Sequence, residues 1–155
     1  MKRFDRAFGE LVKGRFSTLA EDVTPEWGKM TRGQVYGHLN QTLNYTLGQG
    51  PEMPFRGNFK TKHIFRHVVL YGLREIPRGI KLPRPEGVSE EMLFPVVTLD
   101  TFQETIDTYV ARLGAPELPT RIHPFFGPLT PAQWQLFHRR HFTHHMKQFG
   151  LGDGL

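Results

Sequence analysis

The run WQLFHRRHFTHHMKQFG near the C-terminus carries four of the chain's eight histidines. Imidazole both ligates transition metals and moves protons near neutral pH. His141 and His145 stand four residues apart. On a helix that spacing brings Cβ atoms to about 5–6 Å, close enough for two ring nitrogens to meet one ion at about 2.0–2.1 Å. His138 and His145 are a rise of about 10.5 Å apart and cannot share an ion, whereas His138 with His141 is an i, i+3 alternative. A third ligand must come from another element. His38 is the strongest candidate, because it sits on a capped helix and projects toward that helix's buried side, with Gln41 and Tyr45 placed to support it. His138, one turn from His141, is a candidate proton-transfer group, with a packed core histidine as the alternative. His63 and His67 form a second i, i+4 pair. It is not the HExxH of a zinc protease, because Ile64 rather than a glutamate follows His63.

A helix must hold these groups on one stripe. Rotating about 100° per residue from Trp134 puts His145, His138 and His141 near about 20°, 40° and 340°, with Arg139, Arg140, Thr143 and Lys147 on the far side. His144 falls on the margin beside Phe137. The basic far side reads as a solvated outer face. Thr130 as N-cap, Pro131 at the first position, Gln133 closing the capping box and Gly150 as stop delimit this helix.

Four further helical stretches follow from periodicity. Phe4, Phe8, Leu11, Val12 and Leu19 mark a first helix over about residues 2–20. Thr31 with Gln34 opens a second, with Val35, Leu39, Thr42 and Thr46 inward and Gly48 and Gly50 at its end. Thr61 to Ile76 is a third, although IFRHVVLYGL also suits a strand. Pro77, Pro83 and Pro85 then impose an irregular segment. Asp100 with Gln103 opens a fourth helix, striped by Phe102, Ile106, Tyr109 and Leu113 and ended by Gly114. No Asn-Gly type hairpin signal and no long repeat appears. The expected fold is all-α, an antiparallel bundle with long connections.

Composition narrows the function classes. The chain of 155 residues, 38% hydrophobic and 23% charged, is sized for one domain over residues 1–155. With no cysteine there is no disulfide framework, Cys-ligated zinc or thiol nucleophile. Twenty Lys and Arg against fifteen Asp and Glu give +5, a surplus spread along the chain rather than gathered as a nucleic-acid footprint. The N-terminus lacks a signal-peptide core, and no run of about 18 apolar residues occurs, so the expected location is cytoplasmic with no membrane span.

His38 in the second helix, the loop HPFFGPLTPAQW (His123 to Trp134) and the closing HRRHFTHHMKQFG resemble the DinB/YfiT-like bundle superfamily, within it a branch of unknown function. The resemblance covers most of the chain and is most specific near the C-terminus and around His38. It implies a four-helix bundle of up-down-down-up type built from helices one, two, four and five, with Thr61 to Ile76 as an extra helical segment in the crossover. It also implies a divalent metal, zinc or nickel, held by His38, His141 and His145.

Similar members include transferases and isomerases that use a low-molecular-weight thiol cofactor, and others described as metal-dependent hydrolases. The implied function is a metal-dependent transferase or hydrolase on a small-molecule substrate, with a coordination position open for water or substrate. Phe125 and Phe126 are placed to wall that site. No glutamate or aspartate accompanies the ligands on helices two and five, so a hydrolase lacks an expected general base. The extra His138 and His144 leave room for an altered ligand set. Two other readings are a noncatalytic metal-binding or sensing bundle and a basic nucleic-acid-associated protein. The latter lacks the short turn and exposed recognition helix of a helix-turn-helix. The resemblance is compatible with a homodimer.

Overall fold

A computed structural model describes residues 2–81 and 86–155. The expected contribution of Pro83 and Pro85 lies outside the described residues. Among them the protein is mostly helical, with one small two-stranded sheet.

Helix α1 spans Arg6–Phe16 and is shorter than its hydrophobic stripe. The Asp5 carboxylate accepts the Phe8 N–H at 2.8 Å and starts the helix there. The Ser17 and Thr18 hydroxyls bind the Gly14 and Arg15 carbonyls at the other end. Phe4 and Leu19 stay buried from outside the helix. Helix α2, Arg32–Thr46, opens on the expected Thr31–Gln34 capping box.

The crossover differs from a continuous third helix. Thr61–Phe65 is π-helical and passes into the short helix α3, Arg66–Leu70. Gly72, at φ 74°, takes a left-handed turn that an α-helix cannot continue through. A single turn, α4, Glu90–Leu93, is capped by the Ser89 hydroxyl. Helix α5, Leu99–Ala111, begins on Thr98 rather than Asp100: the Thr98 hydroxyl accepts the Thr101 N–H at 3.2 Å, which leaves Asp100 in the first turn. Helix α6, Pro131–Gln148, has the expected cap, proline and box.

The sheet corrects the all-α expectation. Strands β1, Arg121–His123, and β2, Gly127–Leu129, pair antiparallel with His123 opposite Gly127. Pro124–Phe126 make a three-residue turn, and Gly127 at φ 73° supplies the left-handed position such a turn needs. The hairpin is anchored by the Tyr45 hydroxyl, which donates to the Ile122 carbonyl at 2.8 Å, and by the Trp134 Nε1–H, which donates to the Arg121 carbonyl at 3.3 Å.

Helix α2 packs on α5 and α6, and α1 packs on the same two. Phe4, Phe16, Tyr36, Phe102, Ile106 and Phe142 fill the space between them. Tyr36 stacks on Phe102 at 5.2 Å and donates its hydroxyl to the Phe16 carbonyl at 2.7 Å, which satisfies its one buried polar atom. A second apolar cluster joins Tyr45, Val69, Leu70, Leu129, Trp134 and Phe137, binding α3 and the hairpin to α6. The chain before α5 crosses α2 closely at Gly37, where any Cβ would meet the Pro95 carbonyl oxygen. No helix among the described residues is long and apolar enough to cross a membrane.

Candidate metal centre

Three histidines from two helices converge. On α6, His141 and His145 lie one turn apart with ring centroids at 4.8 Å. His38, next to Gly37 on α2, brings its ring to 4.8 Å from His141 and 4.9 Å from His145. The Nε2 atoms of His38 and His141 are 2.9 Å apart, and those of His145 and His141 3.1 Å. For nitrogens at about 2.0–2.1 Å from one ion, angles of about 90–109° give separations of about 2.9–3.4 Å; these two pairs meet that range, and all three ligand atoms lie within 4.8 Å of one another. All three side chains are buried.

Proton bookkeeping shows why hydrogen bonds alone serve this cluster poorly. The Gln148 side-chain nitrogen donates to the Trp27 carbonyl at 3.0 Å, so its oxygen must be the atom facing His145 Nδ1, at 2.7 Å. His145 Nδ1 therefore carries the ring proton, and its Nε2 presents a lone pair. His141 Nε2 then faces two nitrogens with at most one proton to share. Protonated, it can donate to His145; unprotonated, it can accept from His38; it cannot satisfy both contacts. A cation at the point of convergence accepts all three lone pairs, so three buried histidines so placed could hold a metal ion. His141 Nδ1 has no partner among the described residues.

Burial keeps the cluster ready to ligate. It pushes His38 down to about 4, with His144 adding repulsion. His141 and His145 are lowered well below the ordinary imidazole value, by burial first and by their histidine neighbours next. All three are thus neutral at pH 7, the ligating form.

The cluster forms part of the wall of a cavity of about 490 Å³. One side is the hairpin turn, with His123, Phe125 and Phe126; another is the crossover, with Thr61, Phe65, Val69 and Ile76; Trp27, Phe94 and Phe137 also line it. Phe94 lies 5.6 Å from the His38 ring, held there by the close passage of Pro95 over Gly37. Phe125 and Phe126 line the cavity as their place in the sequence suggests.

Other sequence candidates fall elsewhere. His138 is fully buried, outside the cavity wall, with Nε2 at 3.1 Å from the Thr46 hydroxyl and its ring stacked 5.4 Å from Trp134. His63 and His67 are both exposed, with the His67 Nδ1 on the His63 carbonyl at 3.1 Å rather than facing a common point. Gln41 is exposed, and Tyr45 serves the hairpin, not His38. Arg139 lies 3.8 Å over the Phe8 ring and Lys147 pairs with Glu75, so the basic face of α6 ties neighbouring segments together. Gln148 takes the orienting role, and its signal in the sequence was its i+3 place after His145 on the same stripe. His144 and His123 are the two remaining histidines in the cavity wall.

The site thus belongs to a mostly helical protein with a buried three-histidine cluster in the wall of an apolar cavity. The chain belongs to the DUF1569 family of proteins of unknown function, whose model matches residues 7–150. No curated protein and no solved structure matches it.

Proposed function

We propose that this protein is a metal-dependent enzyme of the DinB/YfiT-like type, acting on a small molecule as a transferase. The observation that carries the reading is the meeting of three neutral imidazole nitrogens in the wall of a cavity large enough for a ligand. The mutual packing of α1, α2, α5 and α6 supports an up-down-down-up bundle, with residues 1–155 as one such domain.

A bound zinc or nickel ion would supply Lewis-acid polarisation and a nucleophile activated at neutral pH. His38, His141 and His145 hold that ion. Gln148 fixes the His145 tautomer and ring orientation by spanning from its Nδ1–H to the Trp27 carbonyl. The aromatic walls lower the polarity around the cluster and strengthen electrostatic effects inside. A hydrolase would need a general base, and no Asp or Glu lines the cavity among the described residues. With no carboxylate there, a base would have to be an imidazole of the wall such as His144, and group transfer, in which the second substrate brings its own nucleophile, is the reading we favour. His138 is not among the residues that line the cavity, which speaks against a proton-transfer role for it.

Cobalt(II) substitution tests the reading. The visible d–d bands of the cobalt protein should shift when azide is added, because three histidines leave a coordination position open. Bands unmoved by saturating azide would point to a closed, noncatalytic metal-binding site.

A further inference from the structure

The walls of the cavity are as informative as the cluster of histidines. Among the described residues no Asp, Glu, Lys or Arg lines it. His123 is also held neutral by its geometry: Nδ1 accepts the backbone N–H groups of both Phe125 and Phe126 at 3.2 Å, and protonating that nitrogen would break both bonds. The ring is clamped between Phe126, stacked at 4.3 Å, and the edge of Phe137 at 4.5 Å. The polar groups of Thr61 and Gln148 are engaged locally, with Asn58 and with His145 and Trp27, and the remaining imidazole of the wall, His144, is hydrogen-bonded to the Ile76 backbone.

Two consequences follow from charge and solvation. Three neutral imidazoles leave both charges of a divalent ion uncompensated in an apolar surround, so an anionic group from the ligand is favoured at that end. Away from it the cavity offers aromatic and aliphatic surface. Each hydrogen-bonding group of a polar ligand stranded there would lose about tenfold or more in affinity.

We propose that the cavity binds a small molecule made of one anionic metal-binding group and a compact, uncharged, apolar body that packs on Trp27, Phe65, Phe94, Phe125 and Phe137. The inference rests on the reading of His38, His141 and His145 as metal ligands. It gives the substrate class of that site, and it sets aside a strongly polar thiol as the molecule that fills the cavity.

The test uses the full-length protein dialysed against zinc, its metal content measured first, and isothermal titration with four probes. Acetohydroxamate supplies the anionic head alone; 5-phenylpentanohydroxamate adds an apolar body; the monohydroxamate of glutaric acid adds a charged tail; 5-phenylpentanamide keeps the body without the anionic head. Burial is worth about fourfold per methylene, so the phenylalkyl hydroxamate should bind about a hundredfold or more tighter than acetohydroxamate. The charged-tail probe should gain nothing over acetohydroxamate, and the amide should be weaker than the phenylalkyl hydroxamate by about a hundredfold. Phe125→Ser, at the tip of the hairpin, should remove about tenfold from the phenylalkyl probe and leave acetohydroxamate unchanged. Equal affinities for the three hydroxamates on zinc-loaded protein, or a preference for the charged tail, would overturn this inference while the metal site stands. An amide as tight as its hydroxamate would overturn the anionic head. Protein that takes up no zinc would overturn the metal reading and this inference with it.

Discussion

Replacing Gln148 by leucine separates a ligand-orienting role from simple packing. The Gln148 amide receives the His145 Nδ1–H at 2.7 Å and donates to the Trp27 carbonyl at 3.0 Å. Without metal, the Gln148→Leu protein can escape the loss, because the His145 proton can move to Nε2 and face His141 Nε2 at 3.1 Å. With metal that route is closed: Nε2 must offer its lone pair, and the proton on Nδ1 is left buried without a partner. Such a group costs about 1–3 kcal/mol, or about 5- to 150-fold, in line with the 10–100-fold typical of residues that orient a metal ligand. Competition against a chromophoric chelator at pH 7.5 should therefore show zinc affinity down by about 10–100-fold. Thermal melting of the metal-free variant should fall by only a few degrees, for the Trp27 carbonyl left without its donor. Gln148→Glu keeps an acceptor for His145 and should hold zinc at least as tightly as the wild type. Gln148→Leu binding zinc within threefold of the wild type would refute the tautomer argument.

Other outcomes follow from the packing. Burial lowers His123 and His138 to about 3, against about 6.5 in the unfolded chain. Folded pKa values below the unfolded one mean that their stabilisation is complete above pH 6.5 and lost as pH falls toward 3, at up to about 1.4 kcal/mol per unit for each ring. Urea midpoints of the metal-free protein should drop steeply from pH 7.5 to 5, and a flat profile would contradict the burial of these neutral rings. Gly37→Ala should destabilise by about 2 kcal/mol or more, read by denaturant titration, because its methyl meets the Pro95 carbonyl oxygen; a gain in stability, as expected for an open helical glycine, would refute the close crossing. His138→Ala should cost about 2–4 kcal/mol of stability, since its ring is fully buried among Phe4, Tyr109, Trp134 and Phe142. Its metal content should be unchanged, and loss of metal from a folded His138→Ala protein would make His138 a ligand.

What the sequence made legible was whatever local chemistry decides. The Thr31–Gln34 and Thr130–Gln133 boxes mark both helices that carry the cluster, and the i, i+4 spacing of His141 and His145 sets their convergence once α6 forms. The long-range partner, His38, was reachable because its own helix is capped and striped. Boundaries set by competing side chains were less legible: Thr98 displaces Asp100 as a cap, and Asp5 delays α1 although Phe4 belongs to the core. The hairpin escaped because its turn, Pro124–Phe126 before a left-handed Gly127, has no Asn-Gly pair and its strands are only three residues long. The i+3 place of Gln148 after His145 was legible, but its contact with the Trp27 carbonyl and the hold of the Phe125 and Phe126 amides on His123 are long-range or loop contacts that no periodicity encodes.

The metal reading requires that His38, His141 and His145 together hold one divalent ion. Elemental analysis of the purified protein beside the single alanine variants at these three positions tests it most directly, with circular dichroism confirming that each variant is folded. The wild type should carry about one zinc or nickel ion per chain, and each of the three variants should lose stoichiometric metal. Full metal retained by a folded His38→Ala, His141→Ala or His145→Ala protein would overturn that reading.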